Sequence, residues 1–216
     1  MIEKIWYDVD WRIAWNEFLR SCIALFIIGM CTFVAFMVWE DERPYSGEVN
    51  DLVYVHGVAW KEQIDTLESE MKKLPKWVIE EYTAQGGTIH ITDQPLENIS
   101  GKEMTDYRTI GLFCVKGEEI RIWLTNSTCD IENAAIHEFG HFIDRYLDRQ
   151  SETEEFLKCY DSEKDSFYGM EGKKYSIKDS GEYFAQSFMW YFSNPRTLKN
   201  NCPDTYNFIR TLMKGR

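Results

Sequence analysis

Histidine is scarce in this chain, four in 216 residues. Any site built on imidazole must therefore draw on His56, His90, His137 and His141. Proline is thin as well, at five. No segment is rich in Pro, Gly and Ser together, and none repeats at a fixed period, which excludes low-complexity and repeat architectures. Positive charge is also short: 24 Lys and Arg face 36 Asp and Glu, a formal net charge of −12. That balance would repel phosphates, so nucleic acid is excluded as a partner. Most of the carboxylates form a solvated surface. The six cysteines match no zinc knuckle in their spacing, which excludes a metal site built from cysteines alone.

What is present argues for a folded domain. Apolar residues make up 44% and aromatics 15% of a chain long enough to bury a real core. One appendage stands apart. Residues 21–39, "SCIALFIIGMCTFVAFMVW", carry no charge, and a helix of that length crosses a hydrocarbon core of about 30 Å. A buried core helix rarely runs so far without a polar face. Trp15 and Trp39 lie near the ends, where aromatics favour the interface. Arg12 and Arg20 precede the run and "EDERP" follows it, which places the N-terminus inside and the remainder outside. A cleavable signal peptide is the rival, but the leading region is long and no small-x-small site follows. A single-pass anchor is therefore expected.

Beyond the anchor lie Cys114, Cys129, Cys159 and Cys202. Four cysteines outside a membrane permit two disulfides in any of three pairings, and free thiols remain open. Apolar spacing predicts a helix over 58–73 and a second over 76–85, ended by Gly86-Gly87. "TIHIT" (88–92) alternates as a strand. "TIGLFCV" and "EIRIWLT" read as a hairpin turning at Gly117, with "EIRIWLT" the candidate edge for an extended peptide and Trp123 its contact. With Asp130 as cap, a helix follows over 131–148. A loop is expected over most of 160–179, then helices near 180–192 and 203–214. The order is α+β.

The chemistry concentrates in "IENAAIHEFGHFIDRY" (131–146). His137 and His141, four apart, project from one helical face and can share a zinc ion. Glu138 lies beside them, placed to take a proton from a metal-activated water. A catalytic zinc needs a third protein ligand. Asp144 and Leu147 exclude the extended motif with a third histidine downstream. His56 and His90 read as structural or surface residues. Asp144 and Asp148, on the motif helix, read as orienting or salt-bridging groups. Glu182, near the start of a following helix, is a candidate. It is equally explained as the far half of a capping box, Asp179-x-x-Glu182.

"HEFGHFID" with "Y-x6-E-Y-F-A-Q-S-F" some forty residues on resembles the catalytic domain of anthrax lethal factor and its smaller relatives, the secreted Pro-Pro endopeptidases. The resemblance covers roughly residues 86–214. It implies zinc metallopeptidase activity with one zinc per chain, Glu182 as third ligand and Tyr175 as a catalytic tyrosine donating to the oxyanion. Gln186 stands where the family has an acid. Glycine at positions 140 and 181 is read as a departure from the Pro-Pro branch, so a preference for proline pairs is not expected.

The expectation is an α+β, zincin-like metalloprotease domain with a small mixed sheet, an active-site HExxH helix and C-terminal helices, preceded by one transmembrane helix. Residues 1–20 would be cytoplasmic, 21–39 a signal anchor, 40–57 juxtamembrane and 58–216 the peptidase, monomeric and outside the cell membrane. The substrate would be a peptide or protein. The alternative is a catalytically silent zinc-binding interaction module on the cell surface. An intramembrane protease is excluded, because the motif lies far from the span on a helix too polar for lipid.

Overall fold

The computed structural model describes residues 11–41, 45–100, 108–167 and 177–214. The chain divides into two compact units, Met1–Arg43 and Pro44–Arg216.

The first unit holds helix α1, Trp11–Asp41, 31 residues long. Its most apolar stretch is Trp15–Phe33, the one span among the described residues long and apolar enough to cross a membrane. That stretch begins earlier than the uncharged run at 21–39. Trp15, Phe18 and Leu19 extend the apolar surface backwards, and Arg20 in its midst is paired with Glu17 at 3.3 Å. Leu25 and Phe26 are each 69% exposed, an apolar surface that water does not favour.

The second unit is α+β, with a small mixed sheet and mostly helices around it. Strands β1 (Tyr45–Glu48), β2 (Val53–Ala59), β3 (Gly87–Thr92), β4 (Gly111–Lys116) and β5 (Glu119–Thr125) pair in the order β1-β2-β3-β5-β4. The inner pairs β2–β3 and β3–β5 are parallel; the outer pairs are antiparallel. Residues 40–57, expected as a juxtamembrane segment, thus supply β1 and part of β2. Pairing of β2 with β3, more than thirty residues away, and of β1 with β2 makes them strands; their own sequence gives little signal. The hairpin β4–β5 turns where expected, at Gly117, which takes the φ of +64° that favours glycine. But β5 lies between β3 and β4, so "EIRIWLT" is an interior strand, and β4 is the edge.

Helices α2 (Lys61–Lys72) and α3 (Lys76–Ala84) follow the predicted spans closely, and a short turn, α4, spans Glu97–Ser100. Helix α5, Thr128–Tyr146, starts earlier than predicted because Ser127 is its cap, accepting the Asp130 N–H at 3.4 Å. Asp130 sits in the first turn instead, where its charge favours the helix dipole, and accepts the Thr125 hydroxyl at 2.6 Å. The expected loop after 160 is interrupted at its start: α6 runs Glu154–Glu163, capped by Thr153. Then come α7 (Ser180–Ser193), α8 (Pro195–Asn201) and α9 (Pro203–Lys214). Glu163, 7% exposed, caps α9 from α6, accepting the N–H groups of Asp204 and Thr205 at 2.9 Å each.

One core joins the sheet face of Val53, Val55, Ile89, Ile91, Ile122 and Leu124 to Ile136, Phe139, Phe142 and Ile143 of α5. Tyr82 stands edge-on to Phe139 and Phe142, with ring centres 5.1 and 5.0 Å away. On the other side of α5, Phe184 and Phe188 of α7 are fully buried. Each such aromatic contributes roughly 1.5–3 kcal/mol by burial. That is enough to hold polar residues of α5 in an apolar layer they would not choose alone. All six cysteines are free thiols. Burial pushes the Cys159 and Cys202 thiols up to about 11, which leaves them unreactive at neutral pH.

Candidate metal centre

Helices α5 and α7 meet at a glycine. A Cβ on Gly140 would lie 2.8 Å from the Cα of Ala185, so only glycine allows this approach. The contact brings the first turn of α7 over His137 and His141. His137 Nε2 lies 3.2 Å and His141 Nε2 3.4 Å from Glu182 Oε2.

The capping-box explanation of Glu182 is half fulfilled. Asp179 does cap α7, accepting the Glu182 N–H at 2.8 Å. The Glu182 carboxylate does not reach back; it faces the imidazoles and, through Oε1, Lys178 at 3.0 Å. Burial alone would raise the Glu182 carboxyl, but hydrogen bonds from His137 and His141 hold it far below the usual range. For His141, burial works toward neutrality. The hydrogen bond to Glu182, with the nearby Glu138 and Asp144 charges, outweighs it and raises the imidazole.

Glu138, 5% exposed, is pushed up by burial, with His137 and His141 pulling the other way. Its carboxylate fills the space left by Gly111 at the start of β4: a Cβ there would lie 2.5 Å from Glu138 Oε1. The edge strand and the acid are therefore side by side. His137 Nδ1 meets Gln186 Oε1 at 3.1 Å, one helical turn beyond Glu182. The amide oxygen can only accept, so Nδ1 donates to it, and with a metal ion in place of the Nε2 proton that bond would keep the Nε2 lone pair on the ion.

Do these residues fit a zinc ion? The three donor atoms lie within 4.8 Å of one another. Ligand atoms about 2.0–2.1 Å from a tetrahedral zinc stand about 3.3 Å apart. The two Glu182 separations match that edge. Two imidazoles and one carboxylate leave the fourth position open, the pattern of a catalytic ion.

The other expected residues sort as follows. Tyr175 lies outside the described residues. Asp144 accepts the N–H and hydroxyl of Ser151 at 2.6 and 2.7 Å, fastening the turn after α5; Asp148 belongs to that turn, with φ +58°. His56 and His90 pair with each other on the sheet at 2.8 Å, well apart in role from the donor group. Trp123, expected at a peptide edge, is stacked on His90 with ring centres 4.5 Å apart. Sequence reasoning missed Lys178 and Gly111. Lys178 could have been found from its i,i+4 spacing to Glu182.

A family model described as anthrax toxin lethal factor, N- and C-terminal domain, matches residues 41–212. The chain belongs to the anthrax lethal factor family. Among curated relatives, the Pro-Pro endopeptidase of Clostridioides difficile (strain 630) is 34% identical over 89 residues, 39% of this chain and 39% of that protein. The match thus spans about two fifths of the length of that curated relative. Among solved structures, the Pro-Pro endopeptidase from Paenibacillus alvei aligns with a TM-score of 0.56 at 23% identity, covering 74% of this chain and 97% of that one. At that identity the likeness establishes a shared fold, which this lethal factor family member keeps over 74% of its length.

Proposed function

We propose that the second unit is a zinc-dependent endopeptidase of zincin-like architecture, anchored by α1 to a membrane with residues 44–216 on the extracytoplasmic side. The observation that carries this reading is the donor triangle of His137, His141 and Glu182 with Glu138 beside it. When bound there, zinc would supply the Lewis acidity that makes water nucleophilic near neutral pH.

The chain's own residues supply the remainder. His137 Nε2, His141 Nε2 and Glu182 Oε2 would hold the ion, and Gln186 would fix the His137 tautomer. The Glu138 carboxylate accepts a proton from the attacking water and delivers it to the leaving amine. Tyr175, by family resemblance, donates to the oxygen that gains charge on the scissile carbonyl. Strand β4, with β5 on one side and no strand on the other among the described residues, offers an edge to an extended peptide beside Glu138. The relatives are named Pro-Pro endopeptidases.

The test uses the full-length protein in detergent micelles with a peptide library that includes Pro-Pro bonds, read by mass spectrometry. Cleavage should require zinc, stop on chelation, return on zinc addition, and be lost in Glu138→Ala. Undiminished cleavage after chelation would overturn the proposal. Tight zinc uptake without any cleavage would turn it toward a silent binding module.

A further inference from the structure

The carboxylate of Glu182 has two oxygens with different neighbours. Oε2 faces the imidazoles at 3.2 and 3.4 Å, while Oε1 is met by the Lys178 ammonium at 3.0 Å. We propose that Lys178 is a positioning residue for the metal site: it engages Oε1 so that Oε2 alone is presented to the ion. The inference rests on the reading of His137, His141 and Glu182 as metal ligands.

The lysine is placed with unusual care for a residue outside a helix. It precedes α7 and so lies outside that helix's hydrogen-bond ladder. Instead its two chain neighbours are tied down. The Tyr160 hydroxyl on α6 donates to the Ile177 carbonyl at 2.8 Å, and Asp179 caps α7 by accepting the Glu182 N–H at 2.8 Å. Lys178 is strung between these ties. Tyr160 is itself held edge-on to buried Tyr183, ring centres 5.4 Å apart, so the strap is referred to the core.

An ion pair between two solvated side chains contributes little, because water screens it and both chains lose rotamers. Here the partners are unequal: the lysine side chain is 43% exposed and the carboxylate 12%. Glu182 has lost most of its water, and its terminal torsion is soft. Without the Lys178 contact its carboxylate would have one restraint fewer against turning to present either oxygen, or both, to a cation. Lys178 removes that freedom while its own head stays half in solvent. The pair thus acts on the orientation of Glu182 far more than on the stability of the fold.

The test measures zinc affinity of the full-length protein in micelles by competition with a chromophoric chelator, for wild type, Lys178→Met and Lys178→Arg. It adds the visible absorption of the cobalt-loaded proteins and thermal unfolding in excess chelator. Loss of a residue that orients a ligand typically weakens metal binding about 10–100-fold. Lys178→Met should fall in that range, with altered cobalt bands, while Lys178→Arg restores affinity to within about threefold of wild type. Unfolding in chelator should be the same for all three. Unchanged affinity and cobalt bands in Lys178→Met would overturn the inference with the metal reading intact. So would a loss shared by Lys178→Arg and matched by earlier unfolding in chelator, which would make the role structural. A wild type that takes up no zinc would instead sink the ligand assignment itself.

Discussion

The four histidines form two pairs, and the pairs behave in opposite ways. His137 and His141 lie on α5, rings nearly perpendicular at 84° and 4.8 Å between centres. His56 and His90 lie on β2 and β3, rings 27° apart and 5.1 Å between centres. Both pairs are closely spaced, and His137 and His90 are equally buried. The surroundings make the difference. On α5 a carboxylate meets both imidazoles, and His141 is raised. On the sheet, His90 is stacked with Tyr54 and Trp123, and its charged neighbours are His56 and Arg121. Burial first, then those two, push His90 down to about 4. One environment favours positive charge; the other refuses a proton. Two close histidines are therefore not a metal site until a third group of opposite charge closes the set.

The sharpest break in this contrast is removal of a donor. Glu182→Ala should reduce zinc-dependent peptide hydrolysis by about 1,000-fold or more and abolish tight zinc binding, since a catalytic ion needs three protein ligands. His56→Ala, which removes none of those ligands, should leave both within about twofold in the same assays. If His56→Ala also abolished zinc binding, the contrast between the pairs would fail. Gly140→Ala comes next. Its methyl has no room against the Ala185 backbone, so urea unfolding should show a loss of about 1–3 kcal/mol and weaker zinc binding as α7 is pushed from α5.

The sheet pair predicts a pH effect of about 2 kcal/mol. His90 stays neutral in the fold down to about 4, whereas the unfolded chain takes up that proton near the ordinary 6.5. Its contribution is complete above pH 6.5 and is lost as pH falls from there toward 4; each pH unit between those values is worth about 1.4 kcal/mol at most. The fall in stability between neutral pH and about pH 4.5 should be smaller in His90→Phe than in wild type, by urea unfolding at both. Equal slopes would mean that His90 is not shielded. The smallest effect belongs to Gln186. Gln186→Leu should weaken zinc about tenfold by leaving His137 Nδ1 unpartnered, while Gln186→Glu should bind at least as tightly as wild type.

Much of the centre was legible because its signals are local. The HEFGH spacing places two imidazoles on one helical face whatever the rest of the fold does, and α2, α3 and the Gly117 hairpin follow from short-range periodicity and turn chemistry. Glu182 was ambiguous in the sequence for a physical reason: the same Asp-x-x-Glu spacing serves a reciprocal cap and a carboxylate turned to a neighbouring helix, and here Asp179 caps while Glu182 faces the imidazoles. What was illegible depends on distant partners. β1 and β2 become strands by pairing, β5 is interior only because β4 takes the edge, and Trp123 stacks on His90 only once β3 and β5 are side by side. Helix α6 was overlooked because its polar residues outnumber its buried ones, Phe156, Cys159 and Glu163, although Thr153 was a readable cap. Gly111 and Gly140 carry no signal of their own; each is defined by the atoms that would collide with a side chain.

The close seat of α7 on α5 has a consequence for biosynthesis. The helix bearing two imidazoles leaves the ribosome about forty residues ahead of the carboxylate that completes the set, and nothing local brings them together. On the proposed reading, a nascent or half-folded chain would be inert toward its neighbours, becoming a hydrolase only when its last helices dock.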